Sequence, residues 1–257
     1  MRLAFVVDGF TDHAAVELRQ SEKGTVRAKV VGSADLDAVK RQVRRILSLD
    51  YSGDEFLEVG QRDPRIGRLQ ARFPGLRPVL FNSPYEAAAW SVISQRRGRR
   101  QAMALRERLS GELGETFELG GVTVTAFPLP ETLLDLDSFP GMEPRRLERL
   151  RDVARAALTG MLDPRRLRAI GWEQALEEVQ LLPGISPTYG GLVVHRSVGF
   201  ADSLATGEQR GLEYVAKLYR LGGPPDMDKL AQIAEGWRPF RTWSMVLIRA
   251  AGDRGAL

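Results

Sequence analysis

The sequence feature that most constrains the fold of this 257-residue chain is a turn between two predicted helices. The first helix is predicted to end at Pro183-Gly184, and the second begins after Ser186. Ser186 is a good helix cap, and Pro187 suits the first helical position, where a backbone N–H group is not needed. The sequence therefore predicts two helices joined by a tight hairpin turn.

The hairpin turn has the chemistry of a phosphate-binding site. Gly184 has no side chain, so we expect a phosphate to approach its backbone closely. Free N–H groups at the start of the second helix would face this anion, and the helix dipole favours it. Such a turn holds a DNA backbone without reading base sequence. An ordinary helical hairpin can contain the same Pro-Gly turn, so the turn alone leaves both interpretations open.

The remaining pattern predicts a mostly α-helical protein with a small N-terminal α+β lobe. Runs rich in β-branched residues predict strands at 3–7, 15–18 and 25–31, followed by a helix at 35–49. Ser83-Pro84-Tyr85-Glu86 has the residues of a capping box and predicts a helix start. Further helices are predicted at about residues 101–113, 130–136, 143–159, 172–181, 187–198, 208–220, 226–235 and 239–251, with a small hairpin or loop at 120–124.

Composition excludes several classes of function. The chain has no cysteine, which rules out disulfides, iron–sulfur clusters and thiol nucleophiles. No run approaches the roughly 18 apolar residues of a membrane span, and Asp8 comes too early for the apolar part of a signal peptide. His13 and His195 are too isolated to predict a metal site. These features predict a cytoplasmic protein with no membrane partner.

Arginine carries almost all of the positive charge. The formal net charge is only +4, but 32 of the 37 basic residues are arginine, since lysine occurs at five positions. The planar guanidinium group donates two hydrogen bonds to one phosphate. A codon-usage bias would give the same composition. The densest run is Arg96-Arg97-Gly98-Arg99-Arg100.

Three further segments accompany the hairpin in a fixed order. They are 83–95, which ends in Gln95, then 139–142 (Phe-Pro-Gly-Met) and 236–243 (Gly-Trp-Arg-Pro-Phe-Arg-Thr-Trp). Together with 182–186 (Leu-Pro-Gly-Ile-Ser) they resemble the helix-hairpin-helix (HhH-GPD) DNA glycosylase superfamily, most closely the DNA-3-methyladenine glycosylase II type. The hairpin departs from the hallmark in having Ser186 where a second glycine is usual. The resemblance spans about residues 76–252.

The resemblance implies a helix-hairpin-helix glycosylase fold of two helical subdomains with an N-terminal α+β lobe. We expect the lobe at residues 1–75 and the glycosylase domain at 76–257. Within that domain, one subdomain covers about 84–200 and contains the hairpin. The second covers about 201–257 plus the segment before 84, and a cleft separates the two.

The resemblance also implies a reaction, the hydrolysis of the N-glycosidic bond of damaged, alkylated bases in duplex DNA during base excision repair. The catalytic aspartate of the family begins the helix after the hairpin, and counting 24 residues from Gly184 reaches Glu208. A carboxylate there would stabilise an oxocarbenium-like sugar or activate water. In this family a glycine/proline-rich loop lies between the hairpin and that helix, and Asp202 is a poorer candidate because it precedes the loop.

The extra methylene of Glu208 leaves an alternative open. Its oxygens could lie more than about 1 Å from those of an aspartate, and misplacement of that size can cost about 10²-fold in rate. The residue could also be a plain acid in the first turn of a helix. The protein would then be a non-catalytic or degenerate relative that binds damaged or bent DNA without excising a base.

The resemblance assigns further residues. Bifunctional members carry a Schiff-base lysine where this chain has Thr188, so the enzyme is expected to be monofunctional. The base pocket is expected at Thr188, Leu192, Arg249 and Trp237, where an arginine would repel a cationic base. The other predicted site residues are Pro183, Gly184, Ile185, Ser186, Gln95, Arg96, Arg97 and Arg99 for DNA contact.

The same resemblance covers cofactors, assembly and location. No cofactor is expected to be required. The backbone carbonyls of Leu182 and Ile185 are predicted to hold a structural sodium or potassium ion at the hairpin. The predicted partner is double-stranded DNA, the protein is expected to act as a monomer, and its expected place is the bacterial nucleoid.

Overall fold

The computed structural model describes residues 1–22, 24–204 and 209–257. Its N-terminal part is a three-stranded antiparallel sheet in the order β1 (Arg2–Val6), β2 (His13–Gln20) and β3 (Val26–Val31). Helix α1 (Leu36–Ile46) packs on this sheet, with Asp35 accepting a hydrogen bond from its first turn. The predicted β-β-β-α order of the N-terminal lobe is confirmed.

The regular secondary structure in the rest of the described chain is helical except for one small hairpin, β4 (Thr116–Leu119) and β5 (Val122–Thr125), at the place where a hairpin or loop is predicted. Three helices have no counterpart in the sequence prediction: α2 (Gly53–Arg62), α3 (Pro64–Arg72) and α8 (Pro164–Ala169). The others are α4 (Pro84–Ser94), α5 (Arg99–Leu113), α6 (Pro130–Leu134), α7 (Pro144–Leu158), α9 (Trp172–Gln180), α10 (Pro187–Val193), α11 (Gln209–Tyr219), α12 (Met227–Glu235) and α13 (Arg241–Asp253).

Helix α4 forms the centre of the larger hydrophobic core. Nine of its eleven residues are buried, and α5, α7 and α10 pack around it. Ser83 caps the helix by accepting from the Glu86 N–H, as the capping-box pattern predicts. The Glu86 carboxylate does not reach back to Ser83. It is buried and accepts from the Val6 N–H, the Asn82 amide and the Arg106 guanidinium group, which fastens the sheet to the helical core.

A second hydrophobic core joins distant parts of the chain. Phe56 and Val59 of α2 and Ile66 and Leu69 of α3 pack with residues of the C-terminal helices. The sheet and α1 have a separate core. By packing, helices α2 and α3 therefore group with the C-terminal helices and not with the lobe predicted at 1–75.

Two kinds of feature are absent from the described ranges. No described helix is long and apolar enough to cross a membrane. No group of three or more histidine or acidic side chains in the described part of the chain could hold a metal ion.

Candidate nucleic-acid interface and base pocket

The predicted hairpin is present. Helix α9 gives way to a turn in which Gly184 has a φ of +87°, a left-handed conformation that favours glycine. The Ser186 hydroxyl accepts from the Tyr189 N–H at 3.4 Å, and Pro187 is the first residue of α10. The single helix predicted at 187–198 is instead α10 followed by a π-helical turn, Val194–Val198.

The space beside Gly184 is filled by Arg149, which the sequence prediction did not single out. A Cβ atom added to Gly184 would lie 2.7 Å from Cδ and 2.8 Å from Nε of Arg149. The missing side chain therefore makes room for an arginine of α7. This corrects the expectation that a phosphate occupies that space. Nothing in the sequence around Arg149 shows that α7 packs against the hairpin.

Gln95 connects the hairpin to the core. Its amide nitrogen donates to the Gly184 carbonyl at 3.1 Å, and its amide oxygen accepts from Arg149 at 2.6 Å. Arg146 donates to the Gln95 carbonyl at 2.9 Å, and this guanidinium also contacts the last carbonyls of α4. Both ends of the Gln95 amide are thus used inside the protein. A DNA contact through Gln95 stays a prediction, and the observed role is to fix the hairpin turn.

The arginine run after Gln95 divides into two kinds of residue. Arg97 is mostly buried, donates to the Gly141 carbonyl at 2.9 Å and lies 3.6 Å from Glu143. Arg96, Arg99 and Arg100 are exposed and make no hydrogen bond or ion pair with the described residues. These three guanidinium groups are the ones placed to meet an external anion.

A cavity of about 390 Å³ lies between the second hairpin helix and the last helix of the protein. Thr188, Leu192 and Arg249 line it, as predicted for a base pocket. Trp237 does not. It is fully buried in the second core, where its indole N–H lies 2.8 Å from the Tyr219 hydroxyl oxygen. The assignment of Trp237 to the pocket is wrong, because a buried indole needs a hydrogen-bond partner and the core supplies one.

The residues at the entrance of the cavity are exposed, and those at its floor are buried. Pro187 and Thr188 are exposed, whereas His195, Thr242 and Met245 are only 3%, 5% and 8% exposed. Since exposure falls from the hairpin residues to these three, they form the deep wall. None of the described residues that line the cavity is acidic.

The cavity contains two arginines and a neutral imidazole. Arg249 donates to Asp253 at 3.1 Å, and Arg196 to the Val79 carbonyl at 3.3 Å. Burial lowers the pKa of Arg196 from its usual value. Burial also lowers the pKa of His195 to about 4, so its ring is uncharged at neutral pH. The sequence prediction placed His195 on the second hairpin helix but did not assign it to the pocket.

The predicted catalytic position, Glu208, lies outside the described residues. Asp202, the weaker candidate, is bound by two cations. Its carboxylate accepts from Arg241 at 2.8 Å and from Arg238 at 3.0 Å. The Arg241 backbone N–H also donates to it at 3.2 Å, so its oxygens are committed to holding the start of α13.

Comparisons with known proteins agree with this geometry. No family model matches the chain. A DNA-3-methyladenine glycosylase of Bacillus subtilis is 20% identical over 81% of this chain and 70% of its own length. A probable bifunctional transcriptional activator/DNA repair enzyme AlkA of Mycobacterium tuberculosis is 25% identical over 82% of this chain. The chain spans only 42% of that second relative.

A solved structure matches the fold over the full length of the chain. The structure of a 3-methyladenine DNA-glycosylase from Archaeoglobus fulgidus superposes with a TM-score of 0.79 at 23% identity, over 100% of this chain and 88% of that one. The chain is thus similar in sequence to DNA-3-methyladenine glycosylases and has the fold of the helix-hairpin-helix glycosylases.

Proposed function

We propose that this protein is a monofunctional DNA glycosylase that hydrolyses the N-glycosidic bond of damaged, alkylated bases in duplex DNA. The observation that carries the proposal is a cavity lined by the helix that leaves the hairpin. A turn that binds the backbone and a cavity that takes one base are the two parts that extrusion of a nucleotide requires. The names of the two relatives support the same activity.

Different elements of the described structure bind the phosphates and the extruded base. The N–H groups at the start of α10 and the exposed Arg96, Arg99 and Arg100 hold the phosphates, while the base leaves the stack and enters the cavity. A volume of about 390 Å³ is within the range of ordinary small-molecule pockets. The low exposure of the floor excludes water from the base edge.

The bond-breaking step needs a carboxylate near the sugar. As the glycosidic bond breaks, positive charge develops on the sugar, and a carboxylate stabilises it or activates the attacking water. We assign this role to Glu208. Asp202 is unsuited because Arg238 and Arg241 already hold its oxygens.

The cavity favours an uncharged base. Arg196 and Arg249 both line it; Arg249 is paired with Asp253, whereas Arg196 donates to the Val79 carbonyl and is paired with no carboxylate among the described residues. A cationic base would therefore meet repulsion, whereas an uncharged alkylated base would not. We therefore include uncharged damaged bases, among them hypoxanthine and 1,N6-ethenoadenine, in the proposed substrate class.

A monovalent cation at the hairpin is also part of the proposal. The Leu182 carbonyl accepts from the Ile185 N–H at 3.0 Å, which leaves one lone pair of this oxygen available. With the carbonyl of Ile185 it would supply the oxygen ligands such an ion prefers, and the ion would stiffen the turn. A monomeric protein at duplex DNA in the cytoplasm completes the proposal.

One assay tests the proposed function directly. Purified protein is incubated with duplexes that carry methylated, etheno, deaminated or oxidised bases, and abasic sites are converted to strand breaks with alkali on a gel. We expect breaks at alkylated bases. Binding to these duplexes without base release from any of them would leave a DNA-binding protein and reject the glycosylase.

Salt dependence tests the phosphate contacts. Each lost phosphate contact is expected to reduce the slope of log affinity against log salt by about 1. Replacing Arg96, Arg99 and Arg100 with glutamine should therefore lower the slope by up to about 3 in a binding assay. A matched control replaces three exposed basic residues elsewhere: Arg27, Lys29 and Arg72. Equal slopes for the two triple variants would contradict the assignment.

Borohydride trapping tests the reaction type. Because Thr188 replaces the Schiff-base lysine, reduction during turnover should trap no covalent protein–DNA adduct. Strand breaks should appear only after alkali or heat. An adduct that disappears when one of the five lysines is replaced would show a lyase mechanism.

A further inference from the structure

We infer that His195 presents an unprotonated Nε2 atom to the floor of the cavity, where it selects damaged bases that carry an N–H donor on their Watson–Crick edge. The identity of the ligand rests on the proposed function. The state of the ring does not, since it follows from the hydrogen bonds around it. His195 would thus be a specificity residue of the same pocket.

The protons around His195 can be assigned by counting. Nδ1 lies 2.6 Å from Ser203 Oγ, Ser203 Oγ lies 2.9 Å from Thr242 Oγ1, and Thr242 Oγ1 lies 2.8 Å from the Ser203 carbonyl oxygen. A carbonyl only accepts, so the Thr242 hydroxyl must donate to it. Ser203 must then donate to Thr242, and the proton between Ser203 and the ring belongs to Nδ1. Only this arrangement gives each of the three contacts one hydrogen.

The two hydroxyl groups in this series of hydrogen bonds are closed to water, so water cannot take the place of either. Ser203 is fully buried and Thr242 nearly so. The Ser203 N–H also donates to Thr242 Oγ1 at 3.0 Å, which fixes that hydroxyl from a second side. The chain of hydroxyls therefore holds one tautomer of the ring. In a neutral imidazole with its proton on Nδ1, Nε2 has a lone pair and accepts a hydrogen bond.

The Nε2 atom is open to the cavity. It has no hydrogen-bond partner among the described residues, and it is not among the buried polar atoms that are sealed from solvent without a partner. His195 lines the cavity and is its least exposed side chain. A bound base displaces water from this acceptor, and no protein group replaces that hydrogen bond, so the site favours a ligand that donates to Nε2.

The direction from which a base enters determines what Nε2 meets. The glycosidic nitrogen stays attached to the sugar at the entrance near Pro187 and Thr188, so the opposite, Watson–Crick edge points to the floor. Bases with an amino group or a ring N–H on that edge can donate to Nε2. A base such as 1,N6-ethenoadenine, whose added ring occupies both positions, cannot. A base without a donor leaves Nε2 unpaired, so we expect it to be bound more weakly by the scale of one neutral hydrogen bond.

The tautomer is tested by NMR of ¹⁵N-histidine-labelled protein at neutral pH. The chain has two histidines, and the second is an internal control. The Nε2 atom of His13 lies 2.9 Å from the Phe127 carbonyl oxygen, so it must carry a proton. We expect a bare Nε2 for His195 and a protonated Nε2 for His13, with His13→Gln assigning the signals. A protonated Nε2 on His195 overturns the inference whatever the protein does to DNA.

The selectivity is tested with two uncharged purine lesions. Hypoxanthine has an N–H donor on its Watson–Crick edge and 1,N6-ethenoadenine has none. His195→Leu should lower single-turnover excision of hypoxanthine about tenfold, the usual factor for one neutral hydrogen bond, and change excision of ethenoadenine less than about twofold. His195→Gln keeps an acceptor and should recover part of the loss, whereas His13→Gln should change neither rate.

The failures of the two proposals are distinguishable. Equal losses for both lesions in His195→Leu would overturn the inference while leaving a working glycosylase. If the wild type releases neither these bases nor any other in the panel, the proposed function fails. Free bases added to the labelled protein then decide the inference: 3-methyladenine, which has an amino group, should shift the Nε2 signal more than 1,N6-ethenoadenine. Equal shifts, or none with either base, would reject it.

Discussion

Replacing Glu208 with glutamine is expected to lower base excision by at least about 10²-fold, the scale for losing one preorganised electrostatic stabiliser. The substitution removes the charge at nearly constant shape, so a loss reports on the charge itself. DNA binding should persist or tighten, because one negative charge near the phosphates is gone. Single-turnover excision and binding to a non-cleaved duplex separate the two effects.

Asp202→Asn provides the matched control. It also removes one carboxylate charge, but from a residue held by Arg238 and Arg241. We expect this variant to lose stability through those contacts without a comparable fall in the chemical step. If Asp202→Asn abolishes excision in folded protein and Glu208→Gln does not, the catalytic carboxylate has been assigned to the wrong residue.

Glu208→Asp tests whether the longer glutamate side chain gives a lower excision rate than the aspartate that is usual in the family. A rise in rate would show that the extra methylene holds the carboxylate away from its best position. A fall would show that the site is built for glutamate. Absence of base release by both wild type and Glu208→Asp, with DNA binding intact, would reject the enzyme.

The sequence predicts best those elements whose ends carry their own chemistry. Ser83 and Pro84 begin α4, and Ser186 and Pro187 begin α10, because side-chain caps act within a few residues and need no tertiary partner. Helices α2 and α3 were missed for the opposite reason. Gly60 and Gly67 weaken the helical pattern, yet a Cβ on Gly60 would lie 2.7 Å from the Gly67 Cα. These glycines serve close packing of the two helices.

In the candidate site, too, the sequence predicts what a local motif defines and misses what tertiary packing defines. The hairpin and the residues Thr188, Leu192 and Arg249 were predicted, since a motif fixes their spacing along the chain. Arg149 and His195 were not. Their roles depend on which helices meet in space, and no local pattern encodes that. Trp237 was misassigned because sequence proximity to α13 does not say whether a side chain faces the cavity or the core.

The second large effect is expected at Gly184, where leucine should lower affinity for duplex DNA by about 10- to 100-fold. Two causes act together. A φ of +87° costs roughly 1–2 kcal/mol for a residue with a Cβ, and that Cβ would collide with Arg149 and disturb its link to Gln95. The loss of hydrogen bonds from a displaced turn adds about 1–3 kcal/mol to the cost of binding.

Gly160→Leu is the matched control for this experiment, because Gly160 has a φ of +78° and nothing lies within 4 Å of the position of its Cβ. Thermal unfolding should show the backbone strain in both variants, with a further loss in Gly184→Leu from the collision with Arg149, whereas only Gly184→Leu should lose DNA affinity. Combining Gly184→Leu with Arg149→Ala then separates collision from blocked access. If the collision dominates, removing the arginine side chain restores part of the affinity. If both glycine variants bind as tightly as wild type while folded, the hairpin does not hold the DNA backbone.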